Sequence, residues 1–239
     1  MNSYISIDLE TTGLNPKLDK IIEIGAVKVI DGEAVDTFCA FLNPGRKLDD
    51  RIIELTGITQ KEVDSAKEAK DIIPSLVEFI GDLPLLGHRI MFDYSFLKHA
   101  TVNLNIPFEK TGVDTLKISR ACFSELPSKK LTAMCEHYEI VYDAHRAYND
   151  AEATSKLYQY LKRDFEGKYP ELFTPEALIY KAKKESPIRP LQIKKIETLL
   201  ERYKIECPYD LTKMSRNEAS RYIDILLAKC GNGKNRDIT

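Results

Sequence analysis

The chain has 239 residues, of which 43% are hydrophobic and 30% are charged, a composition that is ordinary for a folded protein in water. No apolar run is long enough to span a bilayer, and no basic N-terminal region precedes an apolar segment, so the sequence predicts no membrane span and a cytoplasmic location. The five cysteines form no C-x-x-C pair, which argues against a zinc site or a disulfide framework.

Charge is distributed unevenly along the chain. Residues 1–180 carry 21 Lys and Arg against 29 Asp and Glu, whereas residues 181–239 carry 14 against 8. A basic C-terminal segment on an acidic body indicates a polyanionic partner, and a solvated helical tail is the alternative explanation.

The N-terminal part is predicted to form three antiparallel strands. The first lies in the stretch of residues 5–13: Tyr4, Ile5 and Ile7 are β-formers, and the strand ends in a Thr-Thr-Gly turn. A second strand is predicted over residues 21–29 and a third over residues 34–42. The Asp31–Gly32 pair between them is a strong signal for a two-residue hairpin turn.

The chain then alternates helices with a short buried strand, which is predicted over residues 84–88. Helices are predicted over residues 49–55, 71–80, 92–102, 115–123, 130–138 and 149–165, with a further short helix opened by a capping box at residues 59–62. Strands followed by alternating strand and helix favour a mixed sheet flanked by helices.

Beyond residue 166 the composition changes. Residues 167–189 collect prolines and lysines, which indicates a boundary with local helix. Two helices are predicted after it, over residues 190–203 and 215–229, and the second opens with another capping box. This helical pair fits a small nucleic-acid-binding module, or a unit that packs on the preceding domain or forms a dimer.

Two acids lie on one face of the first strand. Alternate side chains of a strand share a face, so Asp8 and Glu10 point the same way. Paired carboxylates on an apolar strand repel each other and lose hydration, which a hard cation such as Mg²⁺ or Mn²⁺ would relieve. A solvated strand end with two acids is the alternative, so the metal interpretation depends on further acids at the same place.

Three more residues are candidates for that place. Asp93 begins a helix just after the buried strand, a frequent ligand position, although an acid there also complements the helix dipole. Asp150 lies on the first turn of a later helix, and His145 precedes it by five residues. Both can serve one site only if His145 lies in the loop before the helix, where it could act as a general base. An exposed loop histidine without function is the alternative.

Three ordered motifs resemble those of the DEDDh 3′–5′ exonucleases, the family of the proofreading subunit of bacterial DNA polymerase III. They lie at residues 6–14, 87–97 and 145–151. The third includes the histidine that separates this family from its tyrosine-bearing relatives. Several ordered motifs together make the resemblance specific, and it covers residues 1–165.

The resemblance implies a ribonuclease H-like α/β fold with a mixed five-stranded sheet flanked by helices, and the helical pair beyond it predicts a small C-terminal helical appendage. We therefore expect an exonuclease domain at residues 1–166 and a linker with local helix at residues 167–189. A small helical module at residues 190–230 and a flexible tail at residues 231–239 would complete the chain.

The resemblance also implies a metal site and a general base. Two Mg²⁺ or Mn²⁺ ions would be held by four acids, with Asp8 bridging both ions. These acids are Asp8, Glu10, Asp93 and Asp150. His145 would accept a proton from the attacking water and completes the implied catalytic set.

Substrate contacts are implied in two segments. The residues concerned are Thr11, Thr12, Gly13, Leu14, His88 and Arg89. The backbone around Thr11 and Thr12 would contact the terminal nucleotide, and Leu14 resembles an apolar wedge against the last bases. His88 fits a structural role first and a substrate contact second. Arg89 replaces the Asn that the family usually has, and it could reach a phosphate.

The implied reaction is hydrolysis of the terminal phosphodiester at a free 3′ end of DNA, which releases a nucleoside 5′-monophosphate, in proofreading or repair. Single-stranded DNA is the favoured substrate, and a polymerase or replication partner fits this role. An exoribonuclease that trims RNA 3′ ends is the alternative, because the acids do not distinguish DNA from RNA. A non-catalytic nucleic-acid-binding or polymerase-partner module is a second alternative, although clustered unpaired charge argues against it.

Overall fold

The computed structural model describes the backbone of residues 1–231 and the side chains of residues 1–228. Seven strands form a mixed sheet: β1 (Tyr4–Thr11), β2 (Ile21–Ile30), β3 (Glu33–Asn43), β4 (Lys67–Glu68), β5 (Leu85–Gly87), β6 (Thr111–Asp114) and β7 (Glu176–Ala177). Their order across the sheet is β4-β3-β2-β1-β5-β6-β7. The first strand is therefore central, with antiparallel β2 on one side and parallel β5 on the other.

The helices lie close to their predicted positions. They are α1 (Asp50–Thr56), α2 (Gln60–Asp64), α3 (Ala69–Ile80), α4 (Met91–Asn103), α5 (Thr115–Cys122), α6 (Leu131–His137), α7 (Ala147–Phe165), α8 (Pro190–Tyr203) and α9 (Arg216–Gly231). Short 3-10 turns occur at Pro170–Phe173 and Leu211–Lys213. Among the described helices, none is long and apolar enough to cross a bilayer.

The hairpin between β2 and β3 forms at the predicted pair. Asp31 and Gly32 have φ angles of 51° and 89°, the left-handed values that a two-residue turn between twisted strands requires. The three antiparallel strands predicted at the start of the chain are thereby confirmed.

The central strand β1 has a different environment on each face. Ile5, Ile7 and Leu9 point into an apolar core with α3 and α4. Tyr4 points the opposite way, into a second core that includes Leu157 of α7. The side chains of Asp8 and Glu10 share the face of Tyr4, so they are directed towards α7.

The sheet has seven strands rather than the five expected. The five principal strands are β1, β2, β3, β5 and β6, and two-residue strands extend the sheet at both edges. Sequence periodicity did not reveal β6, because its four residues include a single large apolar side chain. The segment expected as a linker, residues 167–189, contributes β7, which pairs with β6. Part of that segment thus extends the fold of the domain before it.

The C-terminal helical module forms its own small apolar core. Ile196 and Leu199 of α8 pack with Ile223 and Leu226 of α9. The second capping box is present: the Ser215 N–H donates to Glu218 Oε2 at 2.8 Å, and the Glu218 N–H donates to Ser215 Oγ at 3.3 Å. The tail predicted to be flexible at residues 231–239 lies, from residue 232 on, outside the described residues.

Candidate active site

Polar contacts between β1 and α7 fix how the helix lies on the sheet. The Tyr4 hydroxyl is 3.0 Å from Ser155 Oγ, and Ser6 Oγ donates to the Ala151 carbonyl at 2.6 Å. Both contacts are buried and both use the face of β1 that carries Asp8. The polar residues at alternate positions of β1 therefore set how α7 lies along the strand, and with it the position of Asp150 relative to Asp8.

The N-terminus of α7 approaches β2 at a glycine. A Cβ on Gly25 would lie 2.1 Å from the backbone of Ala147 and Tyr148, a distance that backbone atoms cannot relieve. Gly25 pairs directly with Asp8 across the sheet. The absent side chain thus lets the first turn of α7 reach the strand position beside Asp8.

Glu23, two residues before this glycine, holds the same helix end. Its buried carboxylate accepts from the Ala147 N–H at 3.1 Å and pairs with the Arg146 guanidinium at 2.9 Å. An acid at a helix N-terminus satisfies an unpaired amide and complements the helix dipole. Neither Glu23 nor Gly25 was predicted from the sequence, although a glycine inside a strand is a signal for close backbone approach.

Three of the four predicted acids converge. One carboxylate oxygen each from Asp8, Glu10 and Asp150 lies within 4.8 Å of the others. Asp150 is on the first turn of α7, as predicted. Among the described residues, neither these three acids nor Asp93 forms a salt bridge with Lys, Arg or His. The cluster therefore brings together acids that no ion pair neutralises within the described residues.

Asp93 belongs to the same site but lies outside the three-acid cluster. Its side chain is 3% exposed, and Oδ1 accepts the Leu9 N–H at 3.1 Å. That amide is free because β5 pairs with β1 only at Ile5 and Ser6. Asp93 thus occupies the edge of β1 that β5 leaves open, next to Asp8.

Burial and repulsion raise the pKa values of these acids. Burial raises the pKa of Asp8 well above its usual range, and the charges of Asp93 and Asp150 raise it further. The pKa of Glu10 rises to about 7, first through burial and then through the charge of Asp150. Burial also raises the pKa of Asp93 and of Asp150, while N–H donors from Leu9 and His145 act in the opposite direction. The site thus disfavours its own full ionisation.

His145 lies in the loop just before α7, as the sequence predicted. Its imidazole is exposed, and its backbone N–H donates to Asp150 Oδ2 at 2.8 Å. The residue adopts a left-handed backbone with φ of 68°. A solvent-exposed imidazole beside the acids could accept or release a proton without disturbing the core.

Tyr142 is a further residue at this site that no sequence motif indicated. Burial, and then the charge of Asp150, raise the pKa of its phenol. Its buried hydroxyl faces the Asp150 carboxylate, and this side-chain contact acts to lower the pKa of Asp150. The only sequence signal was its position three residues before His145.

The loop of residues 11–20 contains the residues predicted to contact substrate and is held by hydrogen bonds within the protein; we call it the substrate loop. Thr11 Oγ1 donates to the Gly13 carbonyl at 2.7 Å, and the Thr12 N–H donates to the Lys20 carbonyl at 2.9 Å. A Cβ on Gly13 would lie 2.6 Å from the Asp19 carboxylate. The Thr12 amide is therefore already engaged within the protein. Leu14 is 81% exposed, as an apolar wedge would need to be.

His88 and Arg89 differ in their surroundings. His88 Nδ1 lies 2.9 Å from Thr115 Oγ1, and Nε2 lies 2.8 Å from the Lys129 carbonyl, so both nitrogens are used within the protein. The structural role predicted first agrees with these contacts, and a substrate contact would require one of them to break. The Arg89 side chain is exposed, and the backbone N–H of Arg89 donates to Asp114 Oδ1 at 2.9 Å.

The C-terminal module contacts the back of the substrate loop. The Glu218 carboxylate lies 3.4 Å from both Lys20 Nζ and the Arg46 guanidinium. The same guanidinium donates to the Leu18 carbonyl at 2.7 Å, and Arg46 forms a backbone bridge with Tyr209. The module thus packs on the domain before it, one of the possibilities that the sequence left open. A nucleic-acid contact of the module stays a prediction.

Fold and acid cluster together define an α/β protein of the exonuclease type. The RNase_T family model, described as an exonuclease, matches residues 5–158. The chain belongs to this exonuclease family, and the resemblance to the DEDDh enzymes is confirmed.

Relatives by sequence are large polymerases. The chain is 40% identical over 166 residues to a DNA polymerase III PolC-type of Bacillus subtilis, and 36% identical over 160 residues to one of Clostridium perfringens. These matches cover 68% and 66% of this chain but 12% and 11% of the polymerases. The chain thus corresponds to a small part of each relative.

Solved structures share the fold. The nuclease domain of 3′hExo, a DEDDh family member bound to rAMP, has a TM-score of 0.58 and 26% identity, covering 69% of this chain and 93% of that one. Exonuclease X in complex with 5′ overhanging duplex DNA has a TM-score of 0.56 and 22% identity, and the match covers 68% of this chain and 92% of that one. E. coli exonuclease I in complex with a dT13 oligonucleotide has a TM-score of 0.63 and 20% identity, and the match covers 72% of this chain and 43% of that one.

Proposed function

We propose that the chain is a metal-dependent 3′–5′ exonuclease that hydrolyses terminal phosphodiesters of DNA and releases nucleoside 5′-monophosphates. The observation that carries this proposal is the cluster of Asp8, Glu10 and Asp150, which form no salt bridge within the described residues, with Asp93 beside it, in a chain of the exonuclease family. Clustered acids with raised pKa values lower stability unless a ligand uses them.

The donor set fits divalent cations. Carboxylate oxygens within 4.8 Å of one another suit a hard ion such as Mg²⁺ or Mn²⁺, whose charge would offset the repulsion that raises their pKa values. Asp8, Glu10, Asp93 and Asp150 would hold two such ions. When bound, the ions would activate the attacking water and stabilise the leaving oxygen.

The chain's own groups would then position the strand and move one proton. His145 would accept the proton of the attacking water at an imidazole nitrogen, which its exposure beside Asp150 allows. The held loop of Thr11, Thr12 and Gly13 would support the terminal nucleotide, and exposed Leu14 would contact the last bases. Asp150, held by the His145 N–H, links the base to the acid cluster.

DNA is the favoured substrate because relatives at 36–40% identity are DNA polymerases. A polymerase or replication partner, proofreading or repair, and a cytoplasmic location follow as predictions. An exoribonuclease is the alternative, because the structure of the 3′hExo nuclease domain, at 26% identity, is bound to rAMP. A binding module without activity is disfavoured, since it has no use for the acid cluster.

A substrate panel tests the proposal. End-labelled single- and double-stranded DNA and RNA would be offered with Mg²⁺, Mn²⁺ or EDTA, and products resolved as mononucleotides. We expect metal-dependent shortening from the 3′ end of single-stranded DNA, slower loss of RNA, and no reaction in EDTA. Asp8→Ala should abolish cleavage while the fold persists, whereas Asp82→Ala, an exposed acid away from the cluster, should not. Full activity in Asp8→Ala would refute the site.

A further inference from the structure

A basic groove lies between α5 and the loop that precedes α6. Its volume is about 720 Å³, and its polar lining is formed by His88, Arg89, Arg120, Ser128, Lys129 and Lys130. We call it the α5–α6 groove. Sequence motifs pointed to His88 and Arg89 alone, because the other cations lie 31 to 41 residues beyond Arg89 in the chain.

Positive charge in this groove is not neutralised by the protein. Among the described residues that line it, four are Lys or Arg and none is Asp or Glu. In the described part of the chain, no salt bridge involves any of these four cations, Arg89, Arg120, Lys129 and Lys130. The nearby Asp114 directs Oδ1 to the backbone amides of Arg89, Leu116 and Lys117. Residues 1–180 carry eight more acids than bases, so this patch opposes the charge of its domain.

The groove is a fixed surface rather than a set of loose side chains. The imidazole of His88 ties its two walls together, with Nδ1 at 2.9 Å from Thr115 Oγ1 of α5 and Nε2 at 2.8 Å from the Lys129 carbonyl. Nε2 must donate, because a carbonyl oxygen only accepts. Burial lowers the pKa of His88, which favours the neutral ring that this arrangement uses. Arg89 has φ of 80°, held by the bond from its N–H to Asp114.

The groove and the acid cluster share one edge of the sheet. Strands β1, β5 and β6 are parallel, so their carboxyl ends lie at the same edge. Asp8 and Glu10 are near that end of β1, Arg89 follows β5, and Arg120 lies on the helix that follows β6. A chain of phosphates that enters the acid site can therefore continue along this edge into the groove.

We propose that the α5–α6 groove binds backbone phosphates of the nucleic-acid strand whose 3′ end occupies the acid cluster. This inference rests on the proposed function, because it takes the strand and its end from there. Several separated, exposed cations suit a polyanion, since each can contact its own phosphate and release a counterion. Arg89 and Arg120 can each hold a phosphate in bidentate fashion. Ser128 adds a hydroxyl donor.

The test removes two cations that serve no internal contact. Arg120 and Lys130 are both exposed, and neither side chain has a hydrogen-bond partner among the described residues, whereas Lys129 Nζ donates to the Leu126 carbonyl. The variant Arg120→Gln/Lys130→Gln would be compared with Lys61→Gln/Lys67→Gln, which changes the net charge equally at exposed lysines on α2 and β4. Strand β4 is at the opposite end of the sheet.

Two measurements separate this inference from the proposed function. Binding of a fluorescent single-stranded 20-nucleotide DNA would be followed by anisotropy in EDTA, at salt concentrations from 50 to 200 mM. Hydrolysis of the p-nitrophenyl ester of thymidine 5′-monophosphate would be followed with Mn²⁺. That ester has one phosphate, which must occupy the acid cluster to be cleaved, so it cannot reach the groove.

We expect the groove variant to bind DNA about 10- to 100-fold more weakly at 50 mM salt, with a salt slope smaller by about 0.7 for each phosphate that the groove no longer binds. The rate of ester hydrolysis should not change, and the control variant should bind nearly as the parent does. If both variants bound DNA equally weakly, net charge alone would explain the effect and the inference would be overturned. A fall in ester hydrolysis in the groove variant would also overturn it. Groove-dependent binding without any hydrolysis would instead contradict the proposed function and leave the groove assigned.

Discussion

The backbone N–H of His145 and Oδ2 of Asp150 lie 2.8 Å apart, across the start of α7. This bond joins the candidate base to a member of the acid cluster through the main chain, not through the imidazole. The ring therefore stays free to exchange a proton, while its attachment point is fixed relative to the acids. His145 has φ of 68°, so its backbone conformation is one that glycine adopts easily.

His145 gives the first prediction. His145→Ala should lower the rate of 3′-end hydrolysis by about 10²–10⁴-fold, the usual effect of removing a general base. His145→Gly should lower it as much without backbone strain, and Mn²⁺ binding should persist in both. Rates would be measured under single-turnover conditions. Because His137 is exposed on α6 and carries no motif, His137→Ala is the control and should keep the parent rate.

An alanine at position 25 gives the second prediction. Gly25→Ala forces a Cβ into the backbone of Ala147 and Tyr148, so α7 must move away from β2 and take Asp150 with it. We expect a decrease of about 1–3 kcal/mol in the free energy of unfolding and a large decrease in the rate of hydrolysis. Gly167→Ala is the matched control, because no atom lies within 4 Å of its added Cβ. Normal hydrolysis in Gly25→Ala would show that the helix end does not position the site.

The third prediction concerns pH and metal removal. The pKa of Glu10 is about 7 in the folded protein against 4.5 for the free side chain. The folded state thus holds this proton more tightly, so its contribution to stability is present below about pH 4.5 and is lost as the pH rises through about 7. In EDTA, Tm should fall between pH 5 and pH 8.

Divalent ions should reverse that fall at pH 8, because they bind the ionised acids of the folded state and not the unfolded chain. Asp8→Asn removes a buried acid whose ionisation is opposed by burial and by the charges of Asp93 and Asp150, so its Tm in EDTA should depend less on pH and exceed the parent value at pH 8. Differential scanning calorimetry measures both effects. A parent Tm at pH 8 that is insensitive to Mg²⁺ and Mn²⁺ would contradict a metal site at these acids.

The fourth prediction concerns the contact between the C-terminal module and the substrate loop. Arg46 donates to the Leu18 carbonyl and pairs with Glu218, so Arg46→Met leaves that carbonyl without this donor and the buried carboxylate with Lys20 as its remaining cation. We expect a decrease of about 1–3 kcal/mol in the free energy of unfolding and easier proteolysis between α8 and α9. Urea unfolding by tyrosine fluorescence and limited proteolysis measure this. Arg51→Met, at an exposed arginine of α1, should change neither.

Local patterns predicted most of the elements and the identity of the acids. The hairpin at Asp31–Gly32 and the capping boxes at Thr59 and Ser215 depend on side chains within a few residues of each other, so they are visible in the sequence. The two-residue strands β4 and β7 were not, because short edge strands have no periodicity of their own and form only where a longer neighbour offers free backbone groups.

The amino-acid sequence alone identified the candidate residues: the acid pair on β1, the acids on the first turns of α4 and α7, and the histidine in the loop before α7. Only the tertiary structure decided that Asp93 lies outside the three-acid cluster. It also decided that the N-terminus of α7 packs against Gly25 and Glu23, and that four cations line one groove. The physical reason is separation along the chain. Alternation and turn chemistry act between near neighbours, whereas these contacts join residues that are tens to more than a hundred positions apart, and only the assembled sheet brings them together.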